Sequence, residues 1–300
     1  MAANATKIRE RVAWAVVTVL AAAVAVLGMN LVRALKSPTP AEWNSYSAAA
    51  NELLYERLNP ARPEPQGVVA HQGGIPPADE ADPGPIGRLS RSYARGLRLL
   101  ELDFSWTADG ELVVAHDWND LPRVPTRAEF LAADARRATL DMVYAWLEDH
   151  RDAFIVTDCK KRSLECAARI RMERPDLVPQ FIVQIYALRD HELVRGQGFR
   201  NVILTLYRTL ADEPAPRIVD FVAGHELFAL TIPRSRAGDE ALVAGVRQLG
   251  VPVYVHTIND PAEAARLRDR GATGVYSDAL AGIDPTEATG PLRPRPPGRP

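Results

Sequence analysis

Glu101-x-Asp103 and His116 sit within one short stretch, GLRLLELDFSWTADGELVVAHD, and no packing requirement accounts for two carboxylates and an imidazole there. Alternate side chains of a strand leave by opposite faces, so Glu101 and Asp103 emerge together while Leu100, Leu102 and Phe104 take the other face. Two carboxylates aimed at one point repel, and each raises the pKa of the other unless positive charge lies between them. A hard divalent cation with oxygen ligands meets that need. Asp158-x-Lys160 repeats the two-residue spacing with a carboxylate and an ammonium.

Residues so far apart converge only if the elements carrying them do. Short β-rich runs alternate with helical patterns: Gly67 to His71, Leu99 to Ser105, Phe154 to Cys159, Phe181 to Tyr186, Val202 to Leu206, Phe228 to Ile232, Val251 to Thr257 and Gly274 to Ser277. Strands separated by helices pair in parallel, and about eight such units in roughly 220 residues is the count of a (β/α)8 TIM barrel. The turn Ala108-Asp109-Gly110 makes Leu112 to His116 a hairpin partner of the second strand, which returns His116 towards the carboxylates. His71, Glu101, Asp103, Asp158, Lys160, Tyr207, His256 and Asp278 then all fall at or just beyond C-terminal strand ends. Barrels of this type place their active sites on that face.

Taken together, His71-Gln72-Gly73, Glu101-x-Asp103, Thr107-x-Asp109-Gly110, His116-Asp117, Asp158-x-Lys160, Thr257-x-Asn259 and Ser277-Asp278 resemble the glycerophosphodiester phosphodiesterases. The likeness runs from about Gly67 to Asp284. It implies a metal-dependent barrel enzyme that hydrolyses a phosphodiester, with His71 and His116 as the acid/base pair and Glu101, Asp103 and Asp158 as ligands to one Ca2+ or Mg2+. Lys160 would neutralise charge on the non-bridging phosphate oxygens. Three positions depart from the family pattern. Gln72 stands where the family usually has Arg and brings no charge; Asp158 replaces a Glu and is one methylene shorter; His256 takes the place of a Trp before Thr-x-Asn. Gln72, Lys160, Tyr207 and His256 are the expected substrate contacts, with Gln184 a further candidate if the strand phase holds. The Asp-x-Lys form is shared with sphingomyelinase D- and phospholipase D-like enzymes, which makes an intact lipid the alternative substrate. Gln72 also suggests a reading of another class, a barrel that binds a phosphorylated or glycan ligand without catalysis.

Composition bounds the rest. With 47% hydrophobic and 25% charged residues among 300, one large core can form, and a net charge of −2 from 36 basic and 38 acidic residues leaves no basic field for nucleic acid. From Val12 to Val32 no charge interrupts an apolar run long enough, at roughly 1.5 Å per residue, to cross a bilayer. Lys7, Arg9 and Arg11 precede it and Arg33 and Lys36 follow, so an uncleaved anchor is expected with its N-terminus in the cytoplasm and the large domain outside. The expected organisation is a cytoplasmic 1–11, a transmembrane 12–32, a linker 33–66 with a helix from Ala41 to Leu58, a barrel 67–283 and a disordered Pro/Arg-rich tail 284–300. Cys159 and Cys166 would meet in the helix layer as two buried thiols or a disulfide. His225-Glu226 reads as a loop, since adjacent residues diverge on any regular element. Trp106 and Trp118 can pack the hairpin or touch a ligand equally well.

Overall fold

Strand β2 (Leu99–Trp106) is the longest of the nine strands among the described residues, and its alternation organises the domain. The computed structural model describes residues 63–207 and 210–279. The expected membrane span at 12–32, the helix at 41–58 and the tail at 284–300 lie outside these residues. Among the described residues no helix is long and apolar enough to cross a membrane.

The strands β1 (Val68–Ala70), β2, β4 (Phe154–Asp158), β5 (Phe181–Ile185), β6 (Val202–Thr205), β7 (Ala229–Pro233), β8 (Val253–His256) and β9 (Gly274–Ser277) pair in parallel, each with its neighbour. β1 pairs with both β9 and β2, which closes the sheet into the expected barrel. β3 (Leu112–Val114) pairs antiparallel with the far end of β2 through Phe104↔Val114 and Trp106↔Leu112, the hairpin anticipated around Gly110.

Helices α1 (Gly84–Ala94), α2 (Arg127–Ala133), α3 (Leu140–Asp149), α4 (Ser163–Glu173), α5 (Asp190–Gly196), α6 (Ala215–Gly224), α7 (Glu240–Gln248) and α8 (Pro261–Asp269) intervene between the strands. Their starts follow local chemistry. Thr126 and Glu129 form a reciprocal capping box at α2, Asp239 accepts from Leu242 N–H at α7, and Asp260 accepts from Glu263 N–H at α8 with Pro261 in the first turn.

Two apolar layers result. Val69, Leu99, Val156, Ile182, Ile203 and Tyr276 belong to the cluster that fills the barrel, while Leu100, Leu102, Phe104, Ile155, Phe181 and Leu230 pack in a larger cluster with residues of the helices. Each fully buried aliphatic side chain contributes roughly 1.5–3 kcal/mol. Cys159 and Cys166 are free buried thiols in the outer layer, and a hydrogen bond with Cys159, followed by burial, pushes the Cys166 thiol up.

Candidate active site

Asp103 on β2 and Asp158 on β4 are register partners, and Glu101 lies two residues earlier on the same face of β2. All three are buried, at 0% exposure for Glu101, 4% for Asp103 and 3% for Asp158. Burial pushes the Glu101 carboxyl well above the usual carboxylate range, and repulsion from Asp103 and Asp158 adds to it. Asp103 is raised too, by burial first and Asp158 second, against the opposing pull of Lys160.

Lys160 answers part of this charge. Its Nζ is 2.5 Å from Asp103 Oδ1 and 3.1 Å from Asp158 Oδ2. Desolvation works against the ammonium, but Asp158 and Asp103 outweigh it and hold the Lys160 pKa above its ordinary value. Tyr186, one residue past β5, donates to Asp158 Oδ1. Gln72 reaches Glu101 with its backbone: its N–H donates to Glu101 Oε2 at 2.8 Å. To do so it adopts φ 51°, a left-handed conformation that costs a non-glycine residue roughly 1–2 kcal/mol. Glu101 Oε1 is buried and has no hydrogen-bond partner.

Both catalytic histidine candidates are held through Nδ1 by a carboxylate. His71 Nδ1 is 2.6 Å from Asp278 Oδ1. Asn259 holds Asp278 in turn, donating from Nδ2 to Oδ2 at 2.8 Å and accepting from the Asp278 N–H at 2.9 Å, while Ser277 Oγ donates to the same Asn259 oxygen. Burial raises Asp278, yet the bonds from His71 and Asn259 prevail and keep it below the carboxylate range. An ionised Asp278 makes His71 Nδ1 the donor, and in the neutral ring Nε2 then carries the lone pair. That nitrogen is 3.9 Å from Glu101 Oε2. His116 repeats the arrangement on the rim, with Nδ1 2.5 Å from Asp117 Oδ2 and its side chain 55% exposed. The Ala115 N–H donates to the Asp103 carbonyl at 3.1 Å, so the hairpin holds His116 near enough for its charge to be felt at Asp103.

His256 forms a wall with aromatic rings. His71 lies 4.8 Å away, Tyr207 5.1 Å and Tyr276 5.1 Å between centroids. Desolvation first, then the His71 charge, push the His256 pKa down to about 4, so the ring is neutral near pH 7. The Tyr207 hydroxyl is buried without a hydrogen-bond partner, and burial pushes its pKa up. A cleft of about 360 Å³ adjoins Asp117 and is lined by Trp118, Leu121, Phe130 and Arg136 among others.

One donor atom each from His71, Glu101 and Asp103 lies within 4.8 Å of the other two. With an unpartnered buried carboxylate oxygen and carboxyls that repel one another, this set fits a divalent cation. Asp158 stands outside that group, its oxygens facing Tyr186 and Lys160. The expected site residues otherwise gather at one barrel mouth, with Gln72 present through its peptide. Gln184 lies deeper, where its Oε1 accepts from Thr205 Oγ1 at 2.8 Å. Trp118 packs the hairpin, donating from Nε1 to the Trp106 carbonyl at 2.9 Å. Tyr186 joins the site without a motif to mark it; its place at the end of a β-rich run is the available signal.

No protein-family model matches the chain, and no curated protein matches it in sequence. Solved structures do match it. A glycerophosphodiester phosphodiesterase from Thermotoga maritima superposes with a TM-score of 0.58 at 20% identity, covering 73% of this chain and 97% of that one. A glycerophosphodiester phosphodiesterase from Parabacteroides distasonis gives 0.59 at 18% identity, over 76% and 96% of the two chains. An Oleispira antarctica phosphodiesterase solved with the product sn-glycerol-3-phosphate gives 0.51 at 15% identity, over 76% and 96%. The chain therefore has the barrel fold found in solved glycerophosphodiester phosphodiesterases.

Proposed function

We propose that the chain is a phosphoric diester hydrolase that cleaves a glycerophosphodiester to an alcohol and glycerol phosphate. The observation that carries this reading is the meeting of two carboxylate-held histidines with Glu101, Asp103, Asp158 and Lys160 at one end of the barrel. His71 and His116 each offer Nε2 for proton transfer. One takes the proton from the attacking water or neighbouring hydroxyl as the new P–O bond forms, and the other protonates the alcohol oxygen as the old P–O bond breaks. Lys160 lies where it can neutralise charge gathering on the non-bridging oxygens.

Glu101 and Asp103, with Asp158 across from them on β4, would hold one Ca2+ or Mg2+, and such an ion supplies Lewis-acid charge to the phosphoryl oxygens. His256 and Tyr207 would border the substrate, and the cleft beside Asp117 would receive the alcohol. The Asp158-x-Lys160 pair and the uncharged Gln72 favour a second substrate of the same chemistry, an intact lysolipid or sphingolipid. We place the protein in a membrane through residues 12–32, with the barrel on the extracytoplasmic side.

The test is hydrolysis by the detergent-solubilised full chain of a panel of glycerophosphodiesters and lysolipids, with and without EDTA, beside Glu101→Gln and His71→Ala. Turnover should fall by at least about 100-fold on chelation and in each variant. A silent panel, or turnover indifferent to EDTA and both substitutions, would refute the enzymatic reading. Release of choline from lysolipids with glycerophosphodiesters untouched would select the lipid substrate.

A further inference from the structure

A second group of metal-ligating side chains lies away from the barrel mouth, between α5 and the end of α6. His191 and Glu192 are on α5, His225 follows the last residue of α6, and one donor atom from each stands within 4.8 Å of the other two. Hydrogen bonds on the far sides of the rings decide what those donors are. His191 Nε2 is 3.0 Å from the Glu226 carbonyl oxygen, and His225 Nδ1 is 2.8 Å from the Phe221 carbonyl oxygen. A carbonyl oxygen only accepts, so each of these nitrogens carries a proton. In a neutral imidazole the remaining nitrogen is then a lone pair. These are His191 Nδ1, 3.0 Å from Glu192 Oε1, and His225 Nε2, 3.9 Å from the same oxygen.

With both rings neutral, three electron-rich atoms thus face one another, and at 3% exposure His191 has little water around it. An added proton on His191 would satisfy its own contact with Glu192 but leave the His225 lone pair aimed at the same oxygen. A cation satisfies all three. A backbone carbonyl on the outer ring nitrogen, fixing the tautomer, is also the support that histidine ligands of metals receive. The rings are held in place: His225 stacks on Phe221 at 3.9 Å and 17°, and His191 meets His225 edge-on at 4.9 Å. The Glu226 side chain, which follows His225 directly, turns away to Arg195 at 3.1 Å.

We propose that His191, Glu192 and His225 form a binding site for a borderline divalent transition-metal cation of the zinc type. Two imidazole nitrogens and a carboxylate oxygen suit such an ion, whereas Ca2+ and Mg2+ take oxygen. The site shares no residue with the barrel mouth. It ties α5 to the end of α6, so its expected role is to fasten two helices of the outer layer, with stability following ion concentration.

Zinc titration of the full chain by calorimetry tests this, in a Glu101→Gln background that disables the carboxylate group at the mouth. One equivalent of Zn2+ should bind and raise the melting temperature. Adding His225→Gln or Glu192→Gln should weaken binding by about 100-fold or more and remove the rise. Both side chains reach solvent, at 31% and 75% exposure, and melting without zinc verifies that each variant is folded. His225→Gln alone should leave phosphodiester hydrolysis unchanged. Identical isotherms with and without His225→Gln, or no zinc bound in the Glu101→Gln background, would overturn the proposal in favour of an imidazolium–carboxylate pair.

Discussion

At the scale of single residues, Asp278 shows how one side chain can govern another, here the histidine to which we assign proton transfer. Its two oxygens are divided between His71 Nδ1 and Asn259 Nδ2, so it sets both the tautomer and the ring plane of His71. Replacing Asp278 by Asn presents His71 with an amide that donates as readily as it accepts, and the ring loses its reason to keep the proton on Nδ1. We expect Asp278→Asn to lower kcat by about 100- to 10,000-fold with KM little changed, as loss of the orienting carboxylate does in Ser-His-Asp enzymes. A rise in KM at constant kcat would instead make Asp278 a substrate-binding group. The carboxylates, Lys160 and both histidines were legible in the sequence because strand alternation and strand ends fix where such side chains point. The Tyr186 bond to Asp158 was not, because it depends on the register between the neighbouring strands β4 and β5, which a strand's own sequence does not state. Nor was the lowered pKa of His256, which as a sequence position reads as a titratable wall but stands half-buried beside His71.

At the scale of elements, all eight β-rich runs read from the sequence form barrel strands, and the run after Gly110 forms the antiparallel β3. That much was readable because each run carries apolar residues for both the barrel interior and the helix layer, as strands buried on two sides must. Closure was harder to read. It depends on β9 lying against the start of β1, where the Val275 N–H donates to the Gly67 carbonyl at 3.1 Å. Gly274 permits that approach: a Cβ at this position would stand 2.5 Å from the Gly67 oxygen and 2.7 Å from its carbonyl carbon. Backbone atoms cannot swing aside as a long side chain would, so the strands must separate. Gly274→Ala is therefore expected to destabilise the protein by about 1–3 kcal/mol, a fall of several degrees in melting temperature. Because Asp278 follows directly on β9, displacement of the strand should also move the partner of His71 and reduce activity more than stability alone explains. An unchanged melting temperature would mean that the closing strands yield at no cost.

At the scale of the whole molecule, charge and hydropathy divide the work of locating the protein. A net charge of −2, with 36 basic residues against 38 acidic ones, gives the chain no overall positive charge to draw it to an anionic bilayer. Among the described residues no helix could span one either. Membrane attachment in our reading thus rests entirely on the uncharged run from Val12 to Val32, and orientation on the basic residues Lys7, Arg9 and Arg11 before it. Both parts have separate consequences. The full chain should stay with membranes through an alkaline wash that strips peripheral proteins, whereas a chain beginning at Ala41 should be released. A reporter that needs disulfides to fold, fused after Pro300, should be active, since such bonds form only outside the cytoplasm. Activity of a cytoplasm-dependent reporter at the same position would reverse the orientation and put the barrel mouth on the inner side. The truncated chain also bears on substrate. If a soluble glycerophosphodiester is cleaved, release from the membrane should leave kcat/KM intact. If the substrate is a bilayer lipid, the anchored form should outpace the released one on vesicles, because tethering raises the effective concentration of site and substrate at one surface.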